Sequence, residues 1–133
     1  MAHAALERGA SSVDLVEADF IALQAARQNI PHSGAKFHWG DARTFRPDTP
    51  PKHILCNPPF HTSRAADPAL GQAFITNARI ILSRHGTLWL VANRHLPYER
   101  TLEGAFASLE TVDQTAGYKI IRAERPRPLP KGR

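Results

Sequence analysis

The stretch Lys52-His53-Ile54-Leu55-Cys56-Asn57-Pro58-Pro59-Phe60 decides how this chain is read. Lys52 to Cys56 has the length and apolar character of a β-strand, and two prolines directly after an asparagine stop it. Each proline fixes its own φ and holds the preceding residue away from the helical region, so 57–59 is a stiff turn with few alternatives. On both sides the chain alternates strand-like and helix-like segments. That alternation predicts an α/β fold with a mainly parallel sheet.

Working outward, prolines at 47, 50 and 51 mark a loop before this strand. Ala2 to Arg8 reads as a helix with Gly9 as its stop, and Ser12 to Glu17 as a strand carrying Val13, Leu15 and Val16. Asp19 is placed to cap a helix running to about Gln28, with Phe20, Leu23 and Ala26 or Arg27 near one face. A weaker strand from Ala35 to His38 leads to Gly40-Asp41. Downstream, Asp67-Pro68 is a helix start. Leu70, Phe74, Ala78 and Ile81 supply that helix with an apolar face, and His85-Gly86 ends it. Thr87 to Ala92 is almost continuously apolar, which predicts a central strand covered on both faces. A short helix from Thr101 to Leu109 is followed by strands at Glu110 to Gln114 and Tyr118 to Ala123, turned antiparallel by Ala116-Gly117.

A chain of 133 residues fits one domain with a modest core, and 42% apolar against 22% charged residues is globular rather than disordered composition. No apolar run approaches the roughly 20 residues that span a bilayer, and no secretory signal opens the chain, so no membrane role is expected. Cys56 is the single cysteine; it excludes an intrachain disulfide and suits a reducing cytoplasm. The seven histidines show no ligand spacing, and no metal site is expected. The formal charge of +5 arises entirely from Lys119 onward, where six basic residues face Glu124 alone. Such an end either holds phosphates or only solubilises the chain.

The turn at 57–60 combines features suited to a poorly nucleophilic amine on a flat ring. The Asn57 side-chain oxygen and the carbonyl of Pro58 are two acceptors on a rigid support, and Phe60 offers a stacking face. The bland alternative is a loop with a buried phenylalanine. Glu17, at the C-terminal end of a strand, suits ribose hydroxyls or the capping of the next helix. Asp41 meets an amino group or closes a turn. Trp39 and Phe37 read as packing residues or as neighbours of a cofactor. His61 lies beside the motif, and Asn93 and Arg94 follow the central strand at the same sheet end.

Several separated blocks occur in order: Asn57-Pro58-Pro59-Phe60-His61, Leu88-Trp89-Leu90-Val91-Ala92-Asn93, Leu96-Pro97-Tyr98, Gln114-Thr115, and Tyr118-Lys119-Ile120-Ile121-Arg122-Ala123. With them, residues 1–125 resemble the C-terminal catalytic half of the bacterial 16S ribosomal RNA guanine 2-amino methyltransferase family. Related large-subunit guanine methyltransferases share much of the pattern. The resemblance implies a class I, Rossmann-like fold with S-adenosyl-L-methionine as cofactor and ribosomal RNA, within the small ribosomal particle, as partner. It implies Asn57, Pro58, Pro59 and Phe60 as the catalytic loop. Glu17, Asp41 and Asn57 fall at cofactor-binding positions, and Phe60, His61, Asn93 and Arg94 on the substrate side.

Methylation of adenine or of a protein glutamine is the nearest enzymatic alternative, and a non-catalytic RNA-binding remnant the other. The first strand of that fold and its glycine-rich loop are not read in this sequence, nor is the N-terminal domain that family members carry. The expectation is therefore a catalytic domain truncated at its N-terminus, with a gap in its sheet that invites self-association, followed by a basic, proline-rich tail over 126–133.

Overall fold

The computed structural model describes every residue except Phe60, Ser63, Arg64, Asp67, Gly132 and Arg133. The chain divides into two compact units, Met1–Pro47 and Asp48–Arg133.

The first unit runs α1 (Ala2–Glu7), β1 (Val13–Glu17), α2 (Phe20–Asn29) and β2 (Ala35–Trp39). Gly9 follows α1 at φ +100, a left-handed conformation that costs a glycine little and ends the helix where the sequence predicts. The carboxylate of Asp19 accepts the backbone N–H groups of Ile21 (2.9 Å) and Ala22 (3.3 Å), which satisfies two orphan donors at the start of α2. β1 and β2 pair in parallel, Glu17 opposite Trp39, with α2 as the crossover between them. Leu23 is the buried anchor of α2, whereas Phe20 on the expected face stays half exposed.

The second unit runs β3 (His53–Cys56), a short antiparallel pair β4 (His61–Thr62) and β5 (Ala65–Ala66), α3 (Pro68–Ile81), β6 (Thr87–Asn93), α4 (Glu99–Ala105), β7 (Phe106–Gln114) and β8 (Tyr118–Pro126). Its main sheet has the order β3-β6-β8-β7. β6 lies parallel to β3 and antiparallel to β8, and β7–β8 is an antiparallel hairpin. β1 pairs only with β2, in a sheet of its own.

One core serves this unit. Leu88, Leu90 and Ala92 of β6 and Ile121 and Ala123 of β8 pack with Ile75, Ala78 and Leu82, and with Tyr98, Leu102 and Phe106. Full burial of a leucine side chain contributes about 1.5–3 kcal/mol. β6 is central as predicted, but its two faces differ: Leu88, Leu90 and Ala92 are buried, while Thr87, Trp89, Val91 and Asn93 are half-buried. The buried face of α3 is also rotated from the predicted one. Gly71, Ile75 and Ala78 are buried, whereas Leu70, Phe74 and Ile81 are only partly covered. The cause is Tyr98, whose ring lies against Gly71 and draws that side of the helix inward.

The helix predicted over 101–109 is instead α4 at Glu99–Ala105, and Phe106 already begins β7. Phe106 pairs with Pro126 and Leu109 with Ala123, so ladder pairing and burial override local helical preference there.

A methyl group added at Gly71 would land on the Tyr98 hydroxyl and ring. Gly71→Ala is accordingly expected to destabilise the protein by about 1–3 kcal/mol through overpacking, despite alanine's better helix propensity. Urea unfolding followed by circular dichroism checks this, and an unchanged midpoint would contradict it.

Candidate functional site

In the second unit, the parallel pairing of β3 with β6 sets Cys56 opposite Leu90. Asn57 therefore leaves the C-terminal end of β3, and Asn93 closes the same end of β6 three residues farther along. Ile54 and Cys56 face the core, and Pro58 is buried, so the turn is pinned on both sides of Asn57. The Asn57 side chain is exposed. A rigid, anchored turn with an exposed amide suits the positioning of a reacting group. Phe60 lies outside the described residues, and of His61 only its place in β4 is described.

The segment after β6 is held from within. The Asn93 side-chain oxygen accepts the His95 N–H (3.0 Å), the Leu96 N–H donates to the Asn93 carbonyl (3.1 Å), and the Arg94 N–H donates to the Gly117 carbonyl (3.2 Å). The Arg94 side chain is exposed. Beneath this segment lies Lys119, only 5% exposed, whose ammonium donates to the Leu96 carbonyl (2.7 Å) and to the Glu99 carboxylate. A buried ammonium is tolerated only when paired and hydrogen-bonded, and both partners here belong to the segment it supports. Lys119 was not singled out from the sequence. The signal was present: with Ile121 and Ala123 it occupies the inward face of β8 in a period of two, where a lysine demands a partner.

In the first unit, Glu17 ends β1 half-buried, and its Oε1 accepts the Asp19 N–H (3.0 Å). Among the described residues its second oxygen has no protein donor. Glu17 thus does part of the capping work while keeping an acceptor for a hydroxyl. Asp41 closes a turn: its Oδ1 accepts the Arg43 backbone N–H (2.8 Å), and both its oxygens accept from the Arg43 guanidinium. Those Arg43 hydrogen bonds hold the Asp41 carboxyl below the usual carboxylate range. Both oxygens are engaged, so any further donor shares them with Arg43.

Next to Glu17, Trp39 packs edge-on against Phe20 (5.0 Å between centroids) and donates its indole N–H to the Ala18 carbonyl (3.0 Å). Both rings remain well exposed, Trp39 at 67% and Phe20 at 48%. Phe20 escaped the sequence reading because the helical period assigned it to the buried face.

No group of three or more His, Cys, Asp or Glu is placed to hold a metal ion among the described residues. Among the same residues, no helix is long and apolar enough to cross a membrane.

Two outcomes test this geometry. Lys119→Met leaves the Leu96 carbonyl without its donor, and is expected to cost about 1–3 kcal/mol and to raise amide exchange over residues 94–98. Burial pushes the Cys56 thiol up to about 12 from its ordinary value of 9.0, because the thiolate loses hydration. With the folded value raised, the unfolded chain ionises first, so stability falls as pH rises from about 9 toward 12. At pH 8, iodoacetamide should label Cys56 slowly in the native protein and rapidly in urea; equal rates would contradict this.

The chain matches the methyltransferase small domain over residues 1–122. It is 32% identical over 123 residues to the ribosomal RNA large subunit methyltransferase G of Stutzerimonas stutzeri, covering 90% of this chain and 33% of that protein. The enzyme of the same name from Shewanella sp. strain ANA-3 is 35% identical over 101 residues, covering 75% of this chain and 27% of the relative. The chain thus spans about a third of the length of these relatives. Among solved structures, it is similar to the T. thermophilus 16S rRNA N2 methyltransferase RsmC in complex with AdoMet and guanosine. That match has a TM-score of 0.74 and 28% identity, and covers 90% of this chain and 33% of that one. The N-methyltransferase NodS of Bradyrhizobium japonicum, at TM-score 0.69 and 18% identity over 95% of this chain and 74% of that one, shares the fold. The mixed α/β architecture is that of the class I S-adenosylmethionine-dependent methyltransferases, and the chain belongs to the methyltransferase small domain family.

Proposed function

We propose that this chain carries the catalytic turn of an S-adenosylmethionine-dependent methyltransferase acting on the exocyclic 2-amino group of a guanine in ribosomal RNA. The observation that carries the reading is Asn57, exposed at the end of β3 on a turn anchored by buried Pro58, beside the central strand of a methyltransferase small domain. The 2-amino lone pair is delocalised into the purine ring, so rate depends on alignment and on acceptors for the amine protons. The Asn57 Oδ1 and the Pro58 carbonyl take those protons as hydrogen bonds and turn the lone pair toward the incoming carbon. As the carbon–nitrogen bond formed, the methyl carbon's bond to the sulfonium sulfur would break with its electron pair left on sulfur, and the amine would lose a proton to solvent. Phe60 is assigned to stack on the base, and His61, Asn93 and Arg94 to hold the RNA around it.

S-adenosylmethionine, when bound, supplies the electrophilic methyl group. The free carboxylate oxygen of Glu17 suits a ribose hydroxyl. The exposed Phe20–Trp39 pair beside it suits the flat adenine. Asp41 is assigned to the adenine amino group through oxygens it shares with Arg43. A guanine inside a duplex must flip out to reach such a turn.

The ribosomal target expected from the sequence is the small subunit. The T. thermophilus relative, named for 16S rRNA, supports it, whereas the S. stutzeri and Shewanella relatives are named for the large one. Transfer of tritiated methyl groups to unmodified 30S and 50S particles separates the two. Asn57→Ala is expected to lower that transfer, measured at saturating S-adenosylmethionine, by about 10²–10³. Full activity of the variant would remove Asn57 from the mechanism.

A further inference from the structure

We propose that a groove at the N-terminal end of β6 is a second RNA contact, a phosphate-binding site formed by Arg79, Arg84 and Arg127. The groove, of about 540 Å³, is lined by these three arginines together with Leu82, Pro128 and Leu129, and among the described residues no acidic side chain lines it. Arg79 stands in the last turn of α3, Arg84 in the turn leading to β6, and Arg127 directly after β8. The pairing of Thr87 with Glu124 brings the last two segments to one sheet end.

Three like charges converging on one concavity repel one another, and the protein does not neutralise them. Among the described residues none of the three forms an ion pair, in contrast to Arg43, Lys119 and Arg122. Arg127 Nε donates to the Glu103 carbonyl (2.9 Å), which fixes its guanidinium without cancelling its charge. Arg79 Nε is buried and has no acceptor among the described residues. A buried donor without a partner is costly, and a guanidinium fork matches the oxygens of a phosphate. The same oxyanion answers both the unmet donor and the crowded charge. Arg125, at φ +59, is the one described non-glycine residue in the left-handed region, and it bends the chain just before Arg127.

The groove is distinct from the catalytic turn. Asn57 and Asn93 follow the C-terminal ends of β3 and β6, whereas Arg84 precedes the N-terminal end of β6. β6 has seven residues, so the two places lie about 20 Å apart along the strand. An RNA held at both ends would be fixed in register by its backbone while a base is presented at Asn57. That the phosphate belongs to RNA rests on the function proposed above.

The test uses the whole chain and fluorescein-labelled poly(U), which offers phosphates but no guanine. In salt titrations by anisotropy, Arg79→Met/Arg84→Gln is expected to weaken binding about tenfold and flatten the log–log salt slope by about 1.4, 0.7 per lost phosphate contact on a single strand. Arg84→Lys should keep most of the slope. Arg79→Met alone removes an unpartnered buried donor, so its unfolding midpoint should be unchanged or higher while poly(U) affinity falls. Unchanged affinity and slope in the double variant overturn the site. Wild-type binding of poly(U) that needs both arginines, without methyl transfer to either ribosomal particle, would sink the catalytic reading and leave this site standing.

Discussion

The backbone ladder of β6 is the constraint on which the second unit depends. The strand is paired along its whole length with antiparallel β8, and over Thr87–Leu90 also with parallel β3. Its inward face supplies Leu88, Leu90 and Ala92 to the core that holds α3 and α4. The direction of each pairing then decides the distribution of chemistry. Parallel pairing puts the residues after β3 and after β6 at one end, so Asn57 and Asn93 share it. Antiparallel pairing sends the end of β8, with Arg127, to the other.

Rigidity at the Asn57 end comes from unlike sources. The turn after β3 is stiffened covalently by two prolines and pinned by burial of Pro58. The segment after β6 is stiffened by a charge, since Lys119 reaches from β8 to the Leu96 carbonyl and the Glu99 carboxylate. Tyr98, packed over Gly71, fastens the same segment to α3. A buried lysine is an expensive anchor compared with an apolar side chain, because its ammonium must find partners before burial is tolerated. The choice makes sense where the loop must be held from within while Arg94 stays exposed.

The first unit follows another logic. β1 and β2 form a parallel pair whose connecting helix is capped by Asp19, and the residues at the strand ends are tied to one another: Glu17 to Asp19, Trp39 to Ala18, and the Gly40 N–H to the Glu17 carbonyl (3.0 Å). Among the described residues these ties leave one Glu17 oxygen and two aromatic faces uncommitted. Acceptors and flat apolar faces at strand ends are the common features of nucleotide sites in α/β proteins.

The alternation of elements, the βαβ unit, the central place of β6 and the final hairpin were legible in the sequence. Each rests on local chemistry: hydrophobic period, Asp19 as a cap, Gly9 as a stop, and prolines that forbid continuation. The Asn57-Pro58-Pro59 turn was legible for the same reason, since its stiffness is covalent. Tertiary structure alone decided which side of α3 is buried, because that depended on Tyr98 meeting Gly71 across 27 positions of sequence. It also decided that Phe106 opens a strand, through a partner at Pro126, and that Lys119 is an internal brace. Arg127 is legible in the sequence as part of the basic end, but only the fold brings Arg79 and Arg84 to one groove with it. Sequence determines what each segment is able to become; long-range pairing determines which neighbours it meets, and burial and charge take their meaning from those neighbours.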